Sequence, residues 1–514
     1  MTVQAPYLVK ESFNTIPFVE ILLSYSKNGS TISDLGLETL LNNKLEQKLL
    51  EELSFVAEVT LQSELDNFTA NGNIDFDEFI EKMIVSLPID YPVLDRILKV
   101  KANNFLNHIR NIFIRFIKDA KNIESVFNLS NIKIVDIDVS LGDGHNGEGT
   151  SLVFLSDGTK LIYKPRNIGI TTSYNSFVDW VNLKLKADLR TFKVLDCKNY
   201  GWIEFVNYEE VSSEKELREY YHKAGILLAV TLLLGSKDCH HENIIASGRN
   251  PVLIDHETII QPYFNDKSFR SWDDQFKIPP FSVLESVLIV NQDTGAPLDI
   301  VGYGVKGNIE VTELEKKIIN PNTLNSKRTT RFATRRIVNK NIPEYSGEYI
   351  FANDYKEHFI KGFTSAYDMF LHSKNELRSA SSPLELFKNN EVRYVWRPTF
   401  VYFRILKYMR AASFMSSYET YNSKLYDLLS KAFKGENRYN FGYILNFETS
   451  QMLNGDIPIF NLGSQDAFLS GSGETKLFEY SCLENISYRI NLLSENHKKE
   501  QLDYISKWLS VEIM

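Results

Sequence analysis

Hydrophobic and polar residues follow three rhythms along this chain, and each rhythm predicts a different element. Across residues 35–68, Leu40, Leu41, Leu45, Leu49, Leu50 and Leu53 recur at helical spacing between charged residues, the pattern of a helix with one buried face. Residues 90–116 repeat it, so residues 10–125 are expected to be mainly helical. At Ile134 the rhythm shortens: Ile134-Val135-Asp136-Ile137-Asp138-Val139 alternates as a strand does. A glycine-rich stretch follows at 142–149, then apolar runs at 150–155 and 159–164, parted by Asp157-Gly158, a tight-hairpin signal. The reading is strand, glycine-rich turn, strand, hairpin, strand. The third rhythm is the unbroken apolar run 224–235, which predicts a buried helix, with a short buried strand at 252–254. Residues 386–434 read as strand then helix, and 481–514 as helices. Residues 263–385 have no dominant period. The mixture predicts an α+β protein.

Polar residues between these elements carry the candidate chemistry. Asp238-Cys239-His240-His241-Glu242-Asn243 follows the buried helix, and Asp255 follows the short strand. Phosphoryl transfer needs a group that orients and deprotonates the attacking hydroxyl. It also needs an amide oxygen and a carboxylate to hold magnesium on the phosphates of ATP. Asp238 suits the first task, Asn243 and Asp255 the second. An Asp/Asn-rich turn between two core elements would look similar. Order favours the chemical reading: upstream lies a glycine-rich turn, and Lys164 on the third strand stands where a kinase places its phosphate-pairing lysine. The expected organisation is a kinase-like, two-lobed α+β fold. It has an N-terminal helical region (1–128), a small lobe (129–212), a large lobe (213–480) and C-terminal helices (481–514).

Bulk properties narrow the class without changing it. A chain of 514 residues with 43% hydrophobic and 24% charged residues can bury a large core. A net charge of −9 gives no basic surface for nucleic acid. No apolar run is long enough to span a bilayer, and the N-terminus lacks a signal-peptide pattern, so no membrane insertion is expected. Cys197, Cys239 and Cys482 are far apart and odd in number, which suggests a reducing cytoplasm and forms no recognisable zinc spacing.

Together these residues resemble a known family. Gly142-Asp143-Gly144-His145-Asn146, Leu161-Ile162-Tyr163-Lys164-Pro165-Arg166, residues 200–206, the segment from Asp238 to Asn243 and the segment from Pro251 to Glu257 are similar to the dehydratase domain of class II lanthipeptide synthetases, the LanM family. Arg393 to Thr399 resembles that family's Arg-x3-Arg-x-Thr element, and Gly455-Asp456-Ile457-Pro458 its Gly-Asp-Ile-Pro element. The likeness is dense over residues 90–265 and 385–465. It implies a lipid-kinase-like fold with added helices. The implied activity is ATP-dependent phosphorylation of Ser and Thr in a ribosomal precursor peptide bearing a leader, then phosphate elimination to dehydroalanine and dehydrobutyrine. By the same resemblance, Lys164 contacts ATP phosphates. Asp238, His240, Asn243 and Asp255 serve phosphorylation and Mg2+ binding, with Asn243 and Asp255 as the ligands. Arg393 and Thr399 serve elimination, and Asp143 and His145 belong to the glycine-rich element. Synthetases of this family carry a C-terminal zinc cyclase and run to about twice this length; the expectation here is a freestanding dehydratase, with a separate cyclase or other tailoring enzyme as partner.

Elimination requires loss of a Cα proton and departure of phosphate, so positive charge is needed near the leaving group. As a strand, the element would put Arg393 and Arg397 on one face. Pro398 fits the first position of a helix and Thr399 its first turn. Two guanidiniums and a helix start would then cradle phosphate; pairing of Arg397 with Glu391 or another acid is the alternative. His145, Asp143 and His240 are all candidates for the Cα base.

Three further features stand apart. Residues 67–78 have the frame of a calcium loop, with Gly72 sixth and Glu78 twelfth, but Asn67, Thr69 and Asn71 hold the positions where acids belong, so a polar turn before a helix is expected. Lys327, Arg328, Arg331, Arg335 and Arg336 form a basic run, read either as a solvated loop or as a substrate-engaging, activation-like segment. His256 departs from the family's apolar residue beside Asp255, where a charged imidazole would oppose magnesium. A peptide kinase without elimination, a scaffold for a cyclase, and a generic small-molecule kinase are the competing functions.

Overall fold

The computed structural model describes residues 13–26, 39–145, 147–269, 271–291, 293, 295–307, 310–336, 340–433, 441–471 and 476–511. It is a mixed α+β fold in which every paired sheet is antiparallel.

Four helices open it: α1 (Val19–Ser26), α2 (Thr39–Ala70), α3 (Phe76–Asp90) and α4 (Pro92–Phe127). The leucine stripe of α2 is its core face, since Leu41, Leu45, Leu49, Leu50 and Leu53 are buried; Leu40 is not, at 82% exposure. The calcium-like frame resolves as a helix–turn–helix. Asn67 and Thr69 lie inside α2, and Asp75 caps α3 by accepting from the backbone N–H groups of Asp77 and Glu78.

The central sheet contains β1 (Ile134–His145), β2 (Glu148–Leu155), β3 (Lys160–Lys164), β4 (Val194–Asp196) and β5 (Gly201–Glu204), in the order β1-β2-β3-β5-β4, with α5 (Gly169–Leu185) joining β3 to β4. The glycine-rich turn is shorter than expected. Register shifts in β1 let the glycines stay in the ladder, so that His145 still pairs with Glu148. Alternation along β3 sends Leu161 and Tyr163 against Ile112, Phe116, Ile123 and Phe127 of α4. Lys164 belongs to the opposite face.

α6 (Glu214–Leu234) is capped by Ser213 at its start and by left-handed Gly235 at its end, and every residue from Ala224 to Leu234 is buried. It packs against the helix Lys356–His372 at nearly backbone contact. A Cβ on Gly225 would stand 2.0 Å from the Phe359 carbonyl oxygen, and one on Gly362 1.9 Å from that of His222. A loop then leads into the hairpin β6 (Ile244–Ser247) and β7 (Asn250–Leu253).

The basic run is neither loop nor turn. It is a strand: β8 (Glu310–Ile319) and β9 (Lys327–Arg336) form a two-stranded ribbon in which Arg331 Nε meets Glu315 Oε2 at 2.6 Å. The acidic partners in β8 make this pairing possible. The ribbon is fastened at both ends. The backbone N–H of Ala246 in β6 donates to the Lys340 carbonyl (2.7 Å). At the far turn Ser326 and Gln62 of α2 exchange two bonds of 2.9 Å, while Asn322 Nδ2 reaches the carbonyls of Asn14 and Ile16.

Beyond it, the strand Glu391–Tyr394 pairs with Phe460–Gly463, the helix Thr399–Met409 follows, and Cys482–Leu492 and Glu495–Trp508 form the C-terminal helices. One apolar cluster includes residues from Phe13 to Leu509, so the flanking helices share a core with the centre. Among the described residues no helix is long and apolar enough to cross a membrane.

Candidate active site

The loop from Lys237 to Asn243 is held by its backbone from both sides. Lys237 N–H donates to the Thr258 carbonyl, Cys239 N–H to Ser286 and His241 N–H to Ile300, at 3.2, 2.9 and 3.0 Å. Gly302 is needed beside it: a Cβ there would lie 2.5 Å from the Cys239 carbonyl oxygen. Between these anchors Asp238 adopts a left-handed backbone, φ 61°, which Asp tolerates better than most residues. Asn243 Nδ2 donates to the Asp238 carbonyl at 2.8 Å, and Ile254 N–H to the Asn243 carbonyl at 3.0 Å. The loop and the segment leading to Asp255 are therefore one unit.

Lys164 closes the unit from the sheet: its Nζ lies 2.8 Å from Asp255 Oδ1. The Asp238 side chain retains 41% of its exposure but sits among protein groups. Burial pushes its carboxyl up to about 6; His240 and Arg393 oppose the rise, and the charges of Glu257 and Asp255 add to it. His240 Nδ1 accepts from the Glu242 N–H at 3.2 Å, so the neutral ring carries its proton on Nε2, 3.8 Å from Asp238 Oδ1. His256 poses no charge problem. It lies between Tyr174 and Phe192, with ring centroids at 4.1 and 5.5 Å. Burial and then Lys164 push it down to about 3, so it is neutral.

Glu257 is the hub that sequence reasoning missed. Its Oε2 lies 2.5 Å from Arg166 Nη1, and its Oε1 pairs with Arg393 Nη1. Burial alone would raise this carboxyl, but Arg393, Arg166 and Lys164 outweigh it and hold it well below the ordinary range. The backbone repeats the link, with Arg393 N–H donating to the Glu257 carbonyl (2.9 Å) and Gln261 Nε2 to the Arg393 carbonyl (2.8 Å). The signal was in the sequence: Arg166 stands two residues after Lys164, and Glu257 two after Asp255.

His145 joins the same cluster from the β1–β2 tip. It is buried, and its Nδ1 lies 2.8 Å from the Ile457 carbonyl oxygen. A carbonyl only accepts, so Nδ1 bears the proton and Nε2 the lone pair. No partner for Nε2 exists among the described residues. Burial, then Arg393 and Arg166, push the imidazole down to about 3. The Gly455-Asp456-Ile457-Pro458 element thus anchors a histidine. Asp143 lies in β1, its side chain outside the described residues.

The segment from Arg393 to Thr399 departs from expectation. The strand stops at Tyr394, so Arg397 does not share a face with Arg393. Arg397 instead makes a bidentate pair with Glu448 at 2.5 and 2.9 Å, and Tyr402 Oη donates to the same carboxylate at 2.6 Å. This pair is internal: the side chains are 6% and 0% exposed. Pro398 occupies the cap position, and half-buried Thr399 is the first residue of the helix Thr399–Met409. Among the described residues no hydrogen bond joins Thr399 to Arg393.

Among the described residues no group of three His, Cys, Asp or Glu side chains could hold a metal ion. Asn243 and Asp255 supply two oxygen donors, which suits a cation that takes its other ligands from phosphates and water. Asn243 already spends its amide nitrogen on Asp238, which leaves the amide oxygen for such a ligand role.

An α+β fold with two such charge clusters joined through residues 255–257 has relatives. The chain belongs to the family described as a domain of unknown function, DUF4135, whose profile matches residues 91–462. It is also 26% identical over 510 residues to the lacticin 481/lactococcin biosynthesis protein LcnDR2 of Lactococcus lactis subsp. lactis, a match covering 93% of this chain and 52% of that protein. The chain thus spans about half the length of this relative.

Proposed function

We propose that this chain dehydrates Ser and Thr of a ribosomally made precursor peptide, first phosphorylating the hydroxyl with ATP and then eliminating the phosphate. One observation carries the reading: Asp255 pairs with Lys164, and Glu257, two residues on, pairs with Arg393. The phosphorylation set and the elimination set share one short segment, so a phosphorylated side chain need not travel to a second site. The relationship to a lantibiotic biosynthesis protein supports this. We also read the fold as kinase-like, on the strength of the third-strand lysine, the helix after it and the acid that follows a hairpin.

In this reading Asp238 takes the proton of the attacking hydroxyl and His240 Nε2–H orients it. Lys164 holds ATP phosphates; Asn243 and Asp255 would hold Mg2+. Bound Mg-ATP supplies the phosphoryl group and neutralises its charge. His145 Nε2 takes the Cα proton. Burial and then the arginines depress its basicity in the resting state, and a phosphate dianion on those arginines offsets the part that they contribute.

The test is mass spectrometry of a Ser/Thr-rich peptide encoded beside this chain, after incubation with the chain, ATP and magnesium. Loss of one water per modified residue is the expected result. Gain of phosphoryl groups alone would leave a peptide kinase, and an unchanged peptide would leave a scaffold for a separate cyclase. Asp255→Asn should abolish both phosphopeptide and dehydrated product.

A further inference from the structure

The second guanidinium of the phosphate seat cannot be Arg397, which is locked to Glu448 and Tyr402 inside the protein. Another arginine stands beside Arg393. Arg166 and Arg393 lie on opposite oxygens of one carboxylate, Glu257, with side chains 22% and 11% exposed. We propose that Arg166 and Arg393 together seat the leaving phosphate, with Glu257 as the positioning residue that aligns them. This rests on the reading that the chain eliminates phosphate.

Three observations support the seat. Charge comes first: two guanidiniums share the single carboxylate of Glu257, and of the other acids that act on Arg393, Asp238 and Asp255, the latter is already paired with Lys164. Donors come second. Each guanidinium gives only Nη1 to Glu257, and among the described residues no hydrogen bond uses Nε or Nη2 of either. Shape comes third. One carboxylate holds both guanidiniums side by side, so the donor edges that Glu257 leaves free are fixed relative to one another. His145, with Nε2 unpartnered and its imidazole held neutral by burial and then by these two arginines, borders the seat.

The step balances without another reactant. A base removes the Cα proton, its electron pair becomes the second bond of Cα=Cβ, and the Cβ–O bond breaks with both electrons leaving on phosphate. Arg166 and Arg393 meet that growing charge.

A synthetic peptide carrying phosphoserine, matched to the peptide modified by the wild-type chain, separates the steps. Arg166→Gln should lower kcat for elimination by about 10²-fold, and Arg166→Lys should recover part of it. Phosphorylation of the unmodified peptide should fall far less, so phosphopeptide accumulates. Inorganic phosphate should inhibit wild-type elimination competitively, and about 10-fold more should be needed in Arg166→Gln, as for a lost charge-assisted bond of ~1.4 kcal/mol. If Arg166→Gln fails to fold because Glu257 is left half-paired, Arg166→Gln with Glu257→Gln removes the stranded charge and must show the same loss. Normal elimination by either folded variant, or equal loss of both steps, overturns the seat. If wild type itself releases no phosphate from the phosphopeptide, the proposed activity falls and the seat with it; failure confined to the variants removes Arg166 alone.

Discussion

Asp238 is a carboxylate kept at odds with its surroundings. Its pKa is raised to about 6, so the base form is depleted as pH falls through that value. Phosphorylation should therefore decline below about pH 6 and level off above it, as read from the initial rate of phosphopeptide formation at saturating ATP. The same shift has a stability sign. A carboxyl raised in the folded state stabilises below its unfolded pKa and loses that contribution as pH rises through about 6. Asp238→Asn should then raise Tm at neutral pH, and the gain should shrink in acid. Any part of the gain that persists in acid reports the left-handed backbone, which Asn accepts more readily than Asp. Arg397 and Glu448 make the opposite case. Glu448→Gln should destabilise by about 3–5 kcal/mol, since a buried guanidinium is left unbalanced; chemical denaturation measures it. Arg397→Met with Glu448→Gln should cost less than the single change.

Elements were legible where burial imposed a period. The α2 leucines and the β1–β3 alternation each face one core, and a core writes its period into sequence. The ribbon β8–β9 did not register because both its faces meet solvent: Phe332 and its partner Leu314 are 78% and 48% exposed on one face, and the side chains of Arg331 and Glu315 68% and 45% on the other. With charges on either side no alternation survives, and the basic run looked like a loop. The site divides the same way. Asp238, Asn243 and Asp255 stand at local spacing, whereas Arg166 and Arg393 meet Glu257 across 91 and 136 positions, so the sequence showed the Arg393 motif and the register of Arg166 and Glu257 but not that the three meet. The contact of α6 with the helix Lys356–His372 was equally silent, since Gly225 was read only as part of the buried run and Gly362 lies where no period was read. Gly362→Ala should lower stability by about 1–3 kcal/mol, measured by thermal unfolding, because the new methyl meets a backbone carbonyl that cannot rotate away.

At the scale of the molecule, acid attacks the charge hub. Glu257 is held well below its ordinary pKa, so its stabilisation is present above the unfolded value near 4.5 and drains away as pH falls toward the folded one. Denaturant midpoints should drop below about pH 4.5, and Glu257→Gln should be less stable at neutral pH while showing a flatter acid limb. The chain's parts depend on one another through such links. Ser326 fastens the ribbon to α2, and Ile457 holds a histidine of the sheet. A lesion in the N-terminal helices or near residue 457 would therefore reach the candidate site without altering any of its side chains.

The bond between His145 and Ile457 also has a meaning in time. The two residues are 312 positions apart, and a ribosome adding roughly 5–20 residues per second separates their synthesis by roughly 15–60 s. Through that interval the sheet can form, yet His145 has no carbonyl to set its tautomer, and until Arg393 is made Glu257 lacks half its partners. On the proposed function, the nascent sheet and hairpin carry the groups assigned to phosphate binding before those assigned to elimination are made. On that reading the groups assigned to elimination come together last, once the strand Phe460–Gly463 can pair with Glu391–Tyr394.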